Sequence, residues 1–194
     1  MRSLEDLLED LKSGNDELAE KAVFQIAEYG NEAVDSLSAL ISDPNPDYRW
    51  WAIRTLSEIK TEDITEYLIE GLNDGDISVQ QCAAVGLRER PDLYALPELI
   101  GLLNSEDKLL VRLVGDALIA IGKSAGPELI KVVQHNLSKQ AQLQAVRALA
   151  FIGDQSSIST LFKLLDGDSM LLEYWASLGL EKMGVGMTFF NPGT

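Results

Sequence analysis

Asp47-Tyr48-Arg49-Trp50-Trp51-Ala52-Ile53-Arg54-Thr55-Leu56-Ser57-Glu58-Ile59 sets the register for the whole chain. Tyr48, Trp51, Ala52, Thr55, Leu56 and Ile59 fall at three- and four-residue steps, which is one buried face of an α-helix. That face returns along the chain. Ala52 recurs as Ala22, Ala83, Val114, Ala145 and Ala176, and Leu56 as Ile26, Leu87, Leu118, Leu149 and Leu180. Ile59 recurs as Tyr29, Arg90, Ile121, Ile152 and Met183, followed by Gly30, Lys60, Pro91, Gly122, Gly153 and Gly184. The step is 30 once and then 31 four times. An unbroken period of this size is the signature of a stacked repeat protein in which each unit touches only its neighbours.

Each unit reads as two helices. The position of Thr55 recurs as Gly86, Ala117, Ala148 and Gly179, small residues that let adjacent first helices approach closely. Glycine suits the left-handed position that ends a helix, and Pro91 prevents continuation in the third unit. The second helix carries Val34, Leu37 and Ile41, then Leu68 and Leu72, then Leu96, Leu99 and Leu103, then Ile158, Leu161 and Leu165. Pro127 falls in a first helical turn, where it is tolerated. Leu4, Leu7, Leu8 and Leu11 match a second helix with no first helix before it. The expected architecture is all-α, a right-handed α-α superhelix of about 12 helices. A cap helix spans 1–14, six units span 16–184 with the last truncated, and a tail spans 185–194. Met187, Phe189 and Phe190 of that tail are expected to fold back over the last unit.

The chain is 194 residues long with a formal charge of −15. Residues 1–76 hold 19 acids and 6 bases, a net of −13, and residues 77–194 hold 12 acids and 10 bases, a net of −2. An acidic surface repels phosphate backbones, so nucleic acid is not an expected partner. It can steer a basic partner or keep the solenoid soluble. No apolar run approaches the roughly 18 residues of a membrane span. The acidic, amphipathic start lacks the features of a signal peptide, and the cytoplasm is the expected location. Cys82 and His135 are single, too few to furnish a four-ligand metal site or a convincing catalytic pair. Cys82 reads as a small buried residue. Asp74-Gly75-Asp76 reads as a capping loop, since no acid follows at the spacing of a calcium loop. No cofactor is called for.

Helix pairs with the rhythm D-x-x-[apolar]-R-x-x-A-x-x-x-L-x-x-I-G resemble HEAT repeats, and the short period resembles the phycobilisome-lyase type of HEAT-like repeat. Proteins with such repeats include bilin lyase subunits, phycobilisome-disassembly factors, a partner of an iron–sulfur scaffold and many adaptors. The resemblance implies either a non-catalytic interaction scaffold or, alternatively, a bilin lyase-like or bilin-handling chaperone, or an accessory factor for iron–sulfur scaffolds. In the scaffold reading, second helices line the concave side, with Asp35, Glu66, Tyr67 and Glu70 in its acidic half and Glu98, Lys131 and Lys163 in its later half. The expected partner carries a basic surface.

The cluster Tyr48-Arg49-Trp50-Trp51-Ala52 is reminiscent of the aromatic-rich segment of bilin lyases. In the bilin reading, Arg49 supplies a propionate contact and Trp50 a stacking surface. Trp50 stands where other units carry Glu20, Gln81 and Arg112, so it is expected to be substantially exposed, with Trp51 and Trp175 largely buried. Phe189 and Phe190 are a further candidate contact.

Overall fold

The computed structural model describes residues 2–60, 64–135 and 138–185. Among these are twelve α-helices and no strand. In chain order they are α1 (Leu4–Leu11), α2 (Asp16–Ala27), α3 (Asn31–Ile41), α4 (Pro46–Glu58), α5 (Thr65–Leu72), α6 (Ile77–Glu89), α7 (Leu96–Leu102), α8 (Lys108–Ile121), α9 (Gly126–His135), α10 (Lys139–Ile152), α11 (Ile158–Phe162) and α12 (Met170–Lys182). The even-numbered helices form one row, each stacked on the next. The odd-numbered helices form a second row, each seated against the first helix of the following unit. One continuous core runs between the rows from Leu7 to Leu180. Leu87 and Leu118 lie in it, fully enclosed, as the repeat register requires.

The loops explain where the helices start. Asn15, Asn45, Asp76, Asp107 and Ser138 each stand just before a first helix, and their side chains accept a hydrogen bond from its first-turn backbone N–H groups. Each such cap is worth about 1 kcal/mol. Two residues before three of them, Asp43, Asp74 and Ser105 accept from the N–H of Asn45, Asp76 and Asp107. The acids of the Asp74-Gly75-Asp76 loop thus accept from backbone N–H groups, in keeping with a capping loop, and Asp74 accepts from Arg49 as well. Among the described residues no group of His, Cys, Asp and Glu is placed to hold a metal ion. Helix α10 stops at Gly153, which takes the left-handed conformation at φ 65°, where a Cβ would clash.

The second-helix row departs from expectation in one way. Helix α11 ends at Phe162, leaving Leu164 and Leu165 half-buried in a turn. First helices approach along much of their length, whereas successive second helices meet at only a few residues. The small residues at the Thr55 position are the cause. A Cβ built on Gly179 would stand 2.9 Å from the Cα of Ala150 in the neighbouring first helix.

Helix α12 ends the row with polar residues at its outward positions. Glu173, Ser177 and Glu181 are exposed where the equivalent Val111, Val146 and Ala150 are buried against a neighbour. A polar outer face is what a terminal repeat needs. Met187, Phe189 and Phe190 lie outside the described residues.

Candidate functional site

Two grooves cross the first-helix row. The N-terminal one, of about 800 Å³, runs over the starts of α2, α4 and α6. Its walls carry four carboxylates, Asp16, Glu20, Asp47 and Asp76, and three aromatic rings, Tyr48, Trp50 and Trp51. Lys12 is the one base among its lining residues, and its ammonium is already paired with Glu9. Trp50 and Trp51 meet edge to face, with ring centroids 4.7 Å apart at 89°, a favoured aromatic geometry. Glu20 is paired with Arg54 at 2.8 Å, so a cation entering here meets the three carboxylates Asp16, Asp47 and Asp76 beside flat apolar surface.

Trp50 is half-buried, packed against the core and in contact with the Trp51 ring. Trp51 is also half-buried and faces the groove. So is Trp175, which lies between Phe151 and Tyr174 at 5.8 and 5.1 Å. The three tryptophans therefore share one degree of burial instead of dividing into one exposed and two buried.

Arg49 is fully engaged. Its Nε donates to Asp74 Oδ2 at 2.7 Å and its Nη2 to Asp74 Oδ1 at 2.8 Å. Nη1 donates to the carbonyls of Asp43 and Pro44 at 3.0 and 3.2 Å. This bidentate pair ties α4 to the loop one repeat later, and the guanidinium holds the Asp74 carboxyl below the usual carboxylate range. Gln80, at the equivalent place in the next unit, braces the Asp74 carbonyl. Arg49 is thus a structural clasp, with four of its five N–H groups already engaged.

The other candidates lie on the second-helix row, on the opposite face of the stack. Asp35, Glu66 and Glu70 are exposed, Tyr67 and Glu98 half-buried. Lys131 is paired with Glu128, and Lys163 is exposed. None of these lines either groove. Phe189 and Phe190 are outside the described residues. The residues that sequence reasoning passed over are Asp16, Glu20, Asp47 and Asp76. The available signal was the stripe of acids at the starts of the first helices, read above only as caps and solvent positions.

The chain is similar to several known proteins. The model for HEAT repeats matches residues 4–75. An uncharacterized phycocyanin operon protein Z from Pseudanabaena tenuis (strain PCC 7409) is 24% identical over 178 residues, 86% of this chain and 87% of that protein. The structure of the complex of CpcE and CpcF of phycocyanin lyase from Nostoc sp. PCC7120 matches at TM-score 0.57 and 24% identity, covering 95% of this chain and 78% of that one. A designed armadillo repeat protein in complex with the peptide (KR)4 matches at TM-score 0.55 and 18% identity, covering 94% of this chain and all of that one. At these identities the structural matches establish the fold alone.

Proposed function

We propose that this chain, a HEAT-like repeat protein of the phycobilisome-lyase type, is a non-catalytic interaction scaffold whose first-helix face takes a basic protein segment. The observation that carries the reading is the N-terminal groove, where Asp16, Asp47 and Asp76, outside any ion pair among the described residues, converge with three aromatic rings and the single lysine is already paired. Carboxylates attract lysine and arginine side chains at long range, and tryptophan faces hold them at contact through cation–π attraction. The fold-level likeness to a designed repeat protein that binds a lysine–arginine peptide is in keeping with this chemistry. The acidic second helices, with Asp35, Glu66 and Glu70, add to the long-range field without forming the groove. No helix among the described residues is long and apolar enough to cross a membrane, and a cytoplasmic partner belongs to the proposal.

A fluorescent (KR)4 peptide titrated against the chain tests it by anisotropy. Binding is expected at low salt, with the association rate falling as salt rises. Asp16→Lys with Asp47→Lys should weaken it at least tenfold and leave the helical signal intact. Binding indifferent to both salt and these reversals would show that the acidic surface serves another purpose. A bilin-handling role draws on the relatives, and the clasp already engages Arg49, the residue first expected to contact a bilin. A bilin whose visible spectrum shifts on mixing with the chain would favour that role over the scaffold.

A further inference from the structure

We infer that the C-terminal half of the same face, over the starts of α8, α10 and α12, is a second subsite that takes an acidic, apolar stretch of the same partner segment. The inference rests on the scaffold reading and specifies its ligand.

The face changes character position by position. Asp16, at the start of α2, becomes Lys108 in α8, Lys139 in α10 and Met170 in α12. Glu17 and Asp47 become Leu109 and Leu171, Glu20 becomes Arg112 and then Tyr174, and Glu28, Glu58 and Glu89 give way to Phe151 and Lys182. A face serving solubility alone has no need of this exchange, least of all in a chain of net charge −15.

The exchange has built a second groove of about 910 Å³, with Lys108 and Lys139 beside Leu143, Met170 and Leu171. Neither lysine forms an ion pair among the described residues, although Asp168 lines the same groove. Met170 is 84% exposed, Leu171 60% and Tyr174 58%. Clustered apolar exposure rimmed by charge marks an interaction surface. Free ammonium groups over such a surface match carboxylates carried on an apolar segment.

The two grooves lie along one row of six helices. With packed helices about 9 Å apart, the row is on the order of 45 Å long. An extended segment of about 14 residues spans that distance at roughly 3.3 Å per residue. The ligand so defined is a single stretch of protein, basic in one half and acidic with apolar residues in the other.

Three designs of synthetic 14-residue peptide, four peptides in all, test this against the full chain by anisotropy. One joins a Lys/Arg block to a Glu/Leu block and is made in both chain directions. The second scrambles that composition, and the third is Lys/Arg only. The better of the two block peptides should bind at least tenfold tighter than the scramble. Lys108→Glu with Lys139→Glu should remove that advantage and leave Lys/Arg-only binding no weaker. Lys108→Gln with Lys139→Gln, which adds no acid, should remove most of it. Equal binding of block and scramble, with the Lys/Arg peptide still bound, would overturn the second subsite and leave the scaffold reading standing. Failure of the Lys/Arg peptide to bind would overturn both. Sedimentation of the chain alone is the last arm: a dimer abolished by the lysine reversals would make a second copy the occupant and overturn the proposal.

Discussion

Cys82 lies beside the core residue Ala83, its Sγ 3.9 Å from the carbonyl of Trp50, and burial pushes its thiol up to about 12. The thiolate is the reactive form, so almost none is present at pH 8. Labelling by a disulfide reagent should be at least a hundredfold slower in the folded chain than in urea; a rate near that of a free thiol would contradict the buried reading. Asp74 makes the opposite shift. The Arg49 guanidinium, above all through its hydrogen bonds, holds its folded pKa below the unfolded value. The stabilisation is therefore full above about pH 4, the unfolded range, and is lost as pH falls through the lower folded value. Asp74→Asn should cost about 2 kcal/mol at neutral pH and flatten the loss of stability on acidification, read from urea midpoints between pH 5 and 2.5. An unchanged acid limb would remove the clasp from the account. This scale was partly legible in sequence. Repeat equivalence identified Cys82 as a core-side residue but missed that Trp50 is half-buried against the core. It could not show that an acid 25 residues on would engage Arg49, because that contact crosses from one unit to the next.

Two glycines separate the effects that govern helix stacking. Replacing glycine by alanine inside a helix gains about 1 kcal/mol of propensity. At Gly179 the added Cβ would press within 2.9 Å of the Ala150 Cα and 3.0 Å of the Leu161 Cδ1. Backbone cannot step aside, so α12 must move away from α10, at an overpacking cost of about 1–3 kcal/mol. Gly179→Ala should therefore lower stability. At Gly86 the obstacle is the Ser57 hydroxyl at 2.4 Å, the tip of a side chain that donates to the Ile53 carbonyl. Removing it is cheap, and Gly86→Ala combined with Ser57→Ala should come out neutral or stabilising in urea denaturation. If both glycines respond alike, small residues are not what sets the first-helix spacing. Helix pairing was legible because a buried face repeats at the helical period. The length of α11 was not, since its end at Phe162 depends on how the turn through Leu164 and Leu165 packs on its neighbours.

At the scale of the whole molecule, the architecture could be read from the period, while the side that carries the grooves could not. Each groove is lined by residues of successive units, and no single unit displays it. The small residues at the Thr55 position, which let neighbouring first helices approach closely, were the trace of that row in the sequence. Charge, by contrast, acts over the whole stack. Residues 1–76 carry 19 acids against 6 bases. Five of those bases, Arg2, Lys12, Lys21, Arg49 and Arg54, already stand in ion pairs. The remaining acids repel one another with nothing local to offset them. Salt screens that repulsion, with a Debye length near 30 Å at 10 mM falling to about 10 Å at 100 mM. It also weakens the exposed pairs, but each of these contributes at most about 1 kcal/mol, so relief of the acid excess wins. Raising salt from 10 to 200 mM should therefore raise the melting temperature by a few degrees. Because each unit contacts only its neighbours, the gain should be local. Amide exchange should slow in α2 through α5, where residues 16–72 hold 13 acids against 4 bases, more than in α8 through α10, where residues 108–152 hold 6 bases against 2 acids and the excess is smaller. A uniform change along the stack, or a melting temperature that falls with salt, would mean that the acids of the first half are already accommodated within the fold and do not hold a field in reserve for a basic partner.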